Sequence, residues 1–207
     1  MNDLVCVVAD NNLEAVVSEL LGRPESLGIR SITRKVIVHP QRDPGCFRDG
    51  VTFLRGLIDS SEHGLIVFDH AWKGVPEPTG ERLEDRVNAE LNQAGLGQRA
   101  RAIVIDPELE AWVFSTSPHV ARILGWSDRS PTLRRWLESE QLWEPGASKP
   151  SDPKEALERA LYRLRRPRSS SIYRDLAKKV GVKNCTDPAF TRLKAVLRAW
   201  FPPTRTA

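Results

Sequence analysis

Four short apolar runs, each closed by an acid or a histidine, constrain this chain more tightly than any other feature. They are Val5-Cys6-Val7-Val8-Ala9-Asp10, Val36-Ile37-Val38-His39, Leu65-Ile66-Val67-Phe68-Asp69-His70 and Ala102-Ile103-Val104-Ile105-Asp106. Runs so short and so rich in β-branched residues suit strands buried on both faces, the condition of a parallel sheet. Strands are expected at about 3–9, 29–38, 64–69 and 100–105. Between them, Leu13, Val16, Val17, Leu20 and Leu21 fall at helical spacing, and Gly22 with Pro24 stops that helix. Phe47 to Ile58 and Glu81 to Ala94 read as two further amphipathic helices, while Gln41–Cys46 and the stretch 70–80 read as loops. Asp106 and Pro107 read as N-cap and first residue of a helix running through Trp112. The expected class is therefore α/β: a Rossmann-like parallel sheet flanked by helices.

Beyond Thr116 the pattern is helical throughout, with segments at about 118–125, 131–139, 153–164, 169–180 and 187–200 and a Pro/Gly/Ser-rich linker at 144–153. This divides the chain into an α/β core, 1–116, and a helical carboxyl-terminal extension, 117–207. The division coincides with a charge asymmetry. From Ser148 onward there are 15 Lys/Arg against 5 Asp/Glu, whereas residues 1–147 hold 16 against 22. A basic extension on an acidic body suits a partner such as nucleic acid, an acidic protein, or the chain's own core. The 3 cysteines are scattered, with no C-x-x-C pair, which argues against a zinc ribbon or a disulfide framework. No apolar run approaches the roughly 20 residues that span a bilayer, and the start lacks a signal-peptide pattern. The expectation is a cytoplasmic protein with no membrane partner.

Ligands of parallel sheets bind beyond the carboxyl ends of the strands. Asp10, His39, Asp69 and Asp106 should therefore share one edge, as a divalent-cation or acid/base site. Asp69 is the strongest candidate, because it precedes a long loop and has no helix to cap. Asp10 and Asp106 each precede a helix and could simply cap it. Of Glu108 and Glu110, two apart, only one should face the site. His39 and His70 have no H-x-x-H or H-x-E spacing to support zinc, and Asp43 could hydrogen-bond either of them or make a turn with Pro44-Gly45. Trp72 and Lys73, in the loop after Asp69, could contact a base and a phosphate, or Trp72 could anchor the loop. The cationic positions Arg163, Arg165, Arg166, Arg168, Lys178 and Lys179, with Lys183, Arg192, Lys194 and Arg198, are the candidates for binding nucleic acid.

The order of elements, the acid after the first strand, the Asp ending the third and the run Asp106-Pro107-Glu108-Leu109-Glu110-Ala111-Trp112 resemble TOPRIM-like proteins of the RloB type. So does the tail Cys185-Thr186-Asp187-Pro188-Ala189-Phe190 with Leu193 and Trp200-Phe201-Pro202. Such proteins are often encoded in bacterial anti-phage defence loci, methylation-associated systems among them. The resemblance implies Mg²⁺ held by Asp10, Asp69 and Glu110 for phosphodiester chemistry on nucleic acid, with other defence proteins as partners. The sequence departs from that family at two places. Ala9 stands where the family's glutamate belongs, and Asp69-His70-Ala71 keeps only the first acid of an Asp-x-Asp pair. Two functions follow: a Mg²⁺-dependent defence nuclease, or a catalytically degenerate defence subunit that binds nucleic acid or a partner through its basic extension. A nucleotide-binding fold of other descent is weakened by the lack of a G-x-G-x-x-G or G-x-x-x-x-G-K-[ST] loop, and an α/β-hydrolase by the lack of G-x-S-x-G.

Overall fold

The computed structural model of the chain describes residues 1–181 and 185–203; Lys183 lies outside them. Four strands, β1 (Asn2–Val8), β2 (Arg34–Val38), β3 (Ser61–Asp69) and β4 (Ala100–Ile105), form one all-parallel sheet in the order β2-β1-β3-β4. The β-branched runs fill its centre: Leu4 to Ala9, Leu65 to Phe68 and Ala102 to Ile105 are all buried. The chain leaves β1 toward β2 on one side and returns past it to β3 on the other. Under the right-handed crossover rule this puts the connecting helices on opposite faces and a topological switch point between β1 and β3.

Helix α1 (Asn11–Leu21) follows β1 as the spacing predicts. A single turn, α2 (Pro24–Leu27), comes next, and the second strand starts at Arg34 rather than near 29. The segment 41–46, expected as loop, is instead helical. Helix α3 (Arg42–Arg48) runs through it, followed by α4 (Gly50–Arg55) and a 3-10 turn at Ile58–Ser60. Pro44 lies in the first turn, where its missing N–H costs nothing. Gly45 permits the packing, since a Cβ there would stand 2.3 Å from Nδ1 of His39. Helix α5 (Gly80–Gln93) joins β3 to β4.

The segment after β4 also departs from expectation. The Asp106–Pro107 peptide is cis, and helix α6 (Glu110–Val113) starts only at Glu110, behind Leu109. Asp106 is therefore no N-cap for its own segment. Its Oδ2 instead accepts the backbone N–H of Gly80 at 2.8 Å, so it supports the first turn of α5 from across the edge.

The remaining helices are α7 (Pro118–Leu124), α8 (Leu133–Ser139), α9 (Pro153–Arg163), α10 (Ser170–Lys179) and α11 (Pro188–Trp200), all close to the expected segments. Helix α10 packs along α1, and α11 packs against β4 and α2. One apolar cluster runs from Leu4 to Phe201 without a break, so the extension and the core share it. Glu84 of α5 clamps this junction. It accepts the N–H of Val104 at 2.8 Å and both Nε and Nη2 of Arg192, at 2.7 and 3.0 Å. No helix among the described residues is long and apolar enough to cross a membrane.

Candidate functional site

The carboxyl ends of β1, β3 and β4 bring Asp10, Asp69 and the 106–110 segment to one edge, as the strand pattern anticipates. What each acid does there differs. Asp10 is the N-cap of α1, its Oδ1 accepting the N–H groups of Asn12 and Leu13 at 2.9 Å each. Its carboxylate is thereby turned to the helix N-terminus, which favours negative charge.

Asp69 sits at the switch point. The N–H of His70 donates to Ile105 of β4 at 2.8 Å, so strand alternation turns the N–H of Asp69 toward the β1 side. There β1 has already left the sheet, and Oδ1 of Asp43 accepts that N–H at 2.9 Å. The Asp69 Oδ1 is inaccessible and has no partner among the described residues. Burial, then the nearby charges of Asp43 and Glu110, push its pKa well above the ordinary carboxylate value. Asp43 is also raised, chiefly by burial. Two carboxyls at the switch point thus resist carrying two charges together.

This arrangement has a measurable consequence. A native pKa above the unfolded one means that the folded chain keeps a proton that the unfolded chain releases above about pH 4. For this group stability falls as pH rises from there toward the native pKa. Asp69→Asn removes that slope and gives the orphan position a donor amide beside Asp43. The variant is expected to be more stable than wild type at pH 7 by about 1–2 kcal/mol, the cost of a buried unsatisfied acceptor. The gap should close toward pH 4 in urea unfolding measured across pH. Parallel profiles for the two proteins would refute it.

Glu110 is the buried acid of the next segment. The Tyr173 hydroxyl donates to its Oε1, and Nη2 of Arg168 lies 3.1 Å from the same oxygen. Arg168 also pairs with Glu158 at 2.9 Å and stacks over the Tyr173 ring, 5.2 Å from its centroid. Burial and the Glu110 charge push the Tyr173 hydroxyl far above its usual range. Arg168, read in the sequence as a nucleic-acid contact, is therefore committed internally, and so is Glu108, which pairs with Lys154. Nothing in the sequence pattern pointed to Tyr173 or Lys154, which reach these acids from helices 46 to 63 positions further along the chain.

The other candidates resolve as structural contacts. His39 is buried against the Phe53 ring, accepts the N–H of Gln41 through Nδ1, and has its pKa lowered by burial. His70 sets Nε2 2.9 Å from the Glu77 carbonyl and Nδ1 3.6 Å from Asp106, bracing the 70–79 loop. Trp72 anchors that loop on Phe68 and Phe47, with ring centroids 5.9 and 6.2 Å away, while Lys73 is exposed.

A Mg²⁺ ion would need Asp10, Asp69 and Glu110 to present open oxygens to one point. Asp10 serves a helix end and Glu110 is held by a hydroxyl and a guanidinium. Among the described residues no group of three or more His, Cys, Asp or Glu is disposed to hold a metal ion. The residues present do not fit the metal that the resemblance implies.

The basic positions divide in two. Arg166 donates to the Ile123 carbonyl at 2.6 Å, and Lys178 lies 3.8 Å from Glu19. Arg192 serves Glu84, Arg198 serves the Leu27 carbonyl, and Lys194 is nearly buried over Phe190. Arg163, Arg165 and Lys179 are exposed, with no side-chain hydrogen bond or ion pair among the described residues. A cleft of about 500 Å³ beside α7 and α8, lined by Ser115, Thr116, Arg122 and Trp143 among others, lies apart from these acids. Comparison of the chain with protein-family models, with curated proteins and with solved structures finds no match.

Proposed function

We propose that this Rossmann-like protein binds nucleic acid through its basic helical extension, with its strand-edge acids serving structure rather than phosphodiester cleavage. The observation that carries the reading is the different use of two sets of charges in one region. Arg168 and Tyr173 close on Glu110, while Arg163 and Arg165, on the same stretch of chain, project into solvent without partners among the described residues. Exposed arginines desolvate at modest cost and match phosphate geometry, which suits a polyanion. The resemblance to RloB-type proteins supports a setting in anti-phage defence, with other defence proteins as partners.

A Mg²⁺-dependent nuclease is the second reading, favoured by one observation, the unpartnered Oδ1 of Asp69 beside Asp43. Its test is direct. Incubation with Mg²⁺ or Mn²⁺ and labelled DNA or RNA should leave the strands intact; cleavage abolished by Asp69→Ala would replace the first reading with the second.

Binding is read by fluorescence anisotropy of labelled oligonucleotides at 50 and 200 mM salt. The expected result is an affinity that falls steeply with salt. A doubly substituted Arg163→Ala/Arg165→Ala protein should show a log–log salt slope smaller by about 2, one for each phosphate no longer neutralised. No binding at 50 mM salt would overturn the proposal.

A further inference from the structure

The end of α9 carries a feature that charge alone does not explain. Tyr162 is 82% exposed, and it lines two adjoining clefts together with Arg163. One, of about 690 Å³, is completed by Arg165, Arg166 and Pro167. The other, of about 250 Å³, is completed by Trp136, Glu140 and Arg159. Trp136 is half-buried, its ring 4.7 Å from that of Trp126. The surface is therefore a pair of open clefts that share an exposed aromatic ring and are flanked by arginines. Its lining acid is Glu140, and Arg159 lies 4.0 Å from Glu155 one turn back.

The backbone supplies an independent observation. Helix α9 closes with the N–H of Arg166 donating to Leu161 and that of Arg165 to Tyr162, at 3.0 and 2.9 Å. This is the bonding of a Schellman cap, whose left-handed position glycine normally fills. Here Arg165 fills it, with φ of 52°. A residue with a Cβ is strained there, as it is at Arg42 and Gln141, whose φ values of 53° and 61° are similar. At this cap the strained conformation places a guanidinium beside an exposed tyrosine.

We infer that this face takes single-stranded nucleic acid: a base stacks on Tyr162 while Arg163, Arg165 and Arg159 hold the backbone phosphates on either side. The inference rests on the nucleic-acid reading above and narrows it. In a duplex each base covers its neighbours' faces, so an open tyrosine gains nothing from it. An unstacked strand offers faces, and stacking on an aromatic ring tolerates any base. Arg166, tied to Ile123, forms a fixed wall rather than a mobile contact.

The test measures anisotropy of labelled dT20, rU20 and a 20-base-pair duplex with the full chain and three variants. Wild type should prefer the single strands. Tyr162→Ala should weaken them about tenfold or more while leaving duplex binding unchanged, and Tyr162→Trp should restore them. Arg165→Gly should bind every probe more weakly yet melt about 2–4 °C higher, because glycine relieves the cap. The dT20 and rU20 arms distinguish DNA from RNA. Equal binding of all probes, unaffected by Tyr162→Ala but weakened by Arg163→Ala/Arg165→Ala, would overturn the single-strand inference and leave the nucleic-acid reading standing. Preference for the duplex would do the same, and no binding of any probe would overturn both.

Discussion

Glu110→Ala is expected to lower the free energy of unfolding by about 3 kcal/mol, the lower end of what breaking a buried ion pair costs. The side chain is 1% exposed and satisfies two donors at once, the Tyr173 hydroxyl and the Arg168 guanidinium. Alanine leaves that hydroxyl buried without an acceptor and removes one of the two counter-charges of Arg168. Arg168 keeps Glu158 and some access to water, which limits the loss. Glu110→Gln keeps an acceptor oxygen in place and should cost about half as much. Urea unfolding of the three proteins decides the matter. Equal losses for both variants would mean that the charge, not the acceptor geometry, holds this corner. No loss for alanine would mean that the Tyr173–Glu110–Arg168 cluster does not organise the extension.

Trp112→Ala, two residues along, is expected to cost about 3–5 kcal/mol, as removal of a fully buried tryptophan generally does. Trp112 packs edge-on to Phe190 with ring centroids 5.2 Å apart. Its Nε1–H donates to Oδ1 of Asp187 at 2.9 Å. That same Oδ1 caps α11 by accepting the N–H of Phe190 at 2.9 Å. One atom thus links the segment after β4 to the last helix, and alanine removes both the filling and the link. Trp112→Phe retains most of the filling and loses the link, for about 1–2 kcal/mol. The expected signature is a loss from Trp112→Phe that largely disappears in the Asp187→Ala background. Full additivity of the two substitutions would show that the shared oxygen couples nothing.

The strands were legible because apolar β-branched runs have one stable use at that length, and the structure places Val5 to Val8, Leu65 to Phe68 and Ala102 to Ile105 accordingly. The later helices were legible from their helical pattern, and the structure adds caps that the sequence reading did not name. Asp152, Asp187 and Ser117 each accept a backbone N–H in front of a proline-led first turn. Two local misreadings share a cause. Pro44-Gly45 resembles a turn, and Asp106-Pro107 resembles a helix start; in each case a tertiary contact chose otherwise. Gly45 is needed for close approach to His39, and Asp106 is drawn to the Gly80 N–H. The edge acids were legible in position but not in role. Whether Glu110 faces solvent or Tyr173 depends on how α10 lies on α1, and no local pattern encodes that. The exposed Tyr162 escaped the sequence reading because a tyrosine at the end of an amphipathic helix reads equally well as core or surface.

The outer position of β2 bears on how copies of the protein avoid one another. An outermost strand presents unpaired backbone groups to any other chain that can align with it, the first step toward fibrillar association. Here that strand is only five residues long and opens with Arg34 and Lys35, both exposed. A second copy zipping onto it in register would have to crowd like charges over nearly half its length, so the shortest strand of the sheet also resists edge-to-edge pairing.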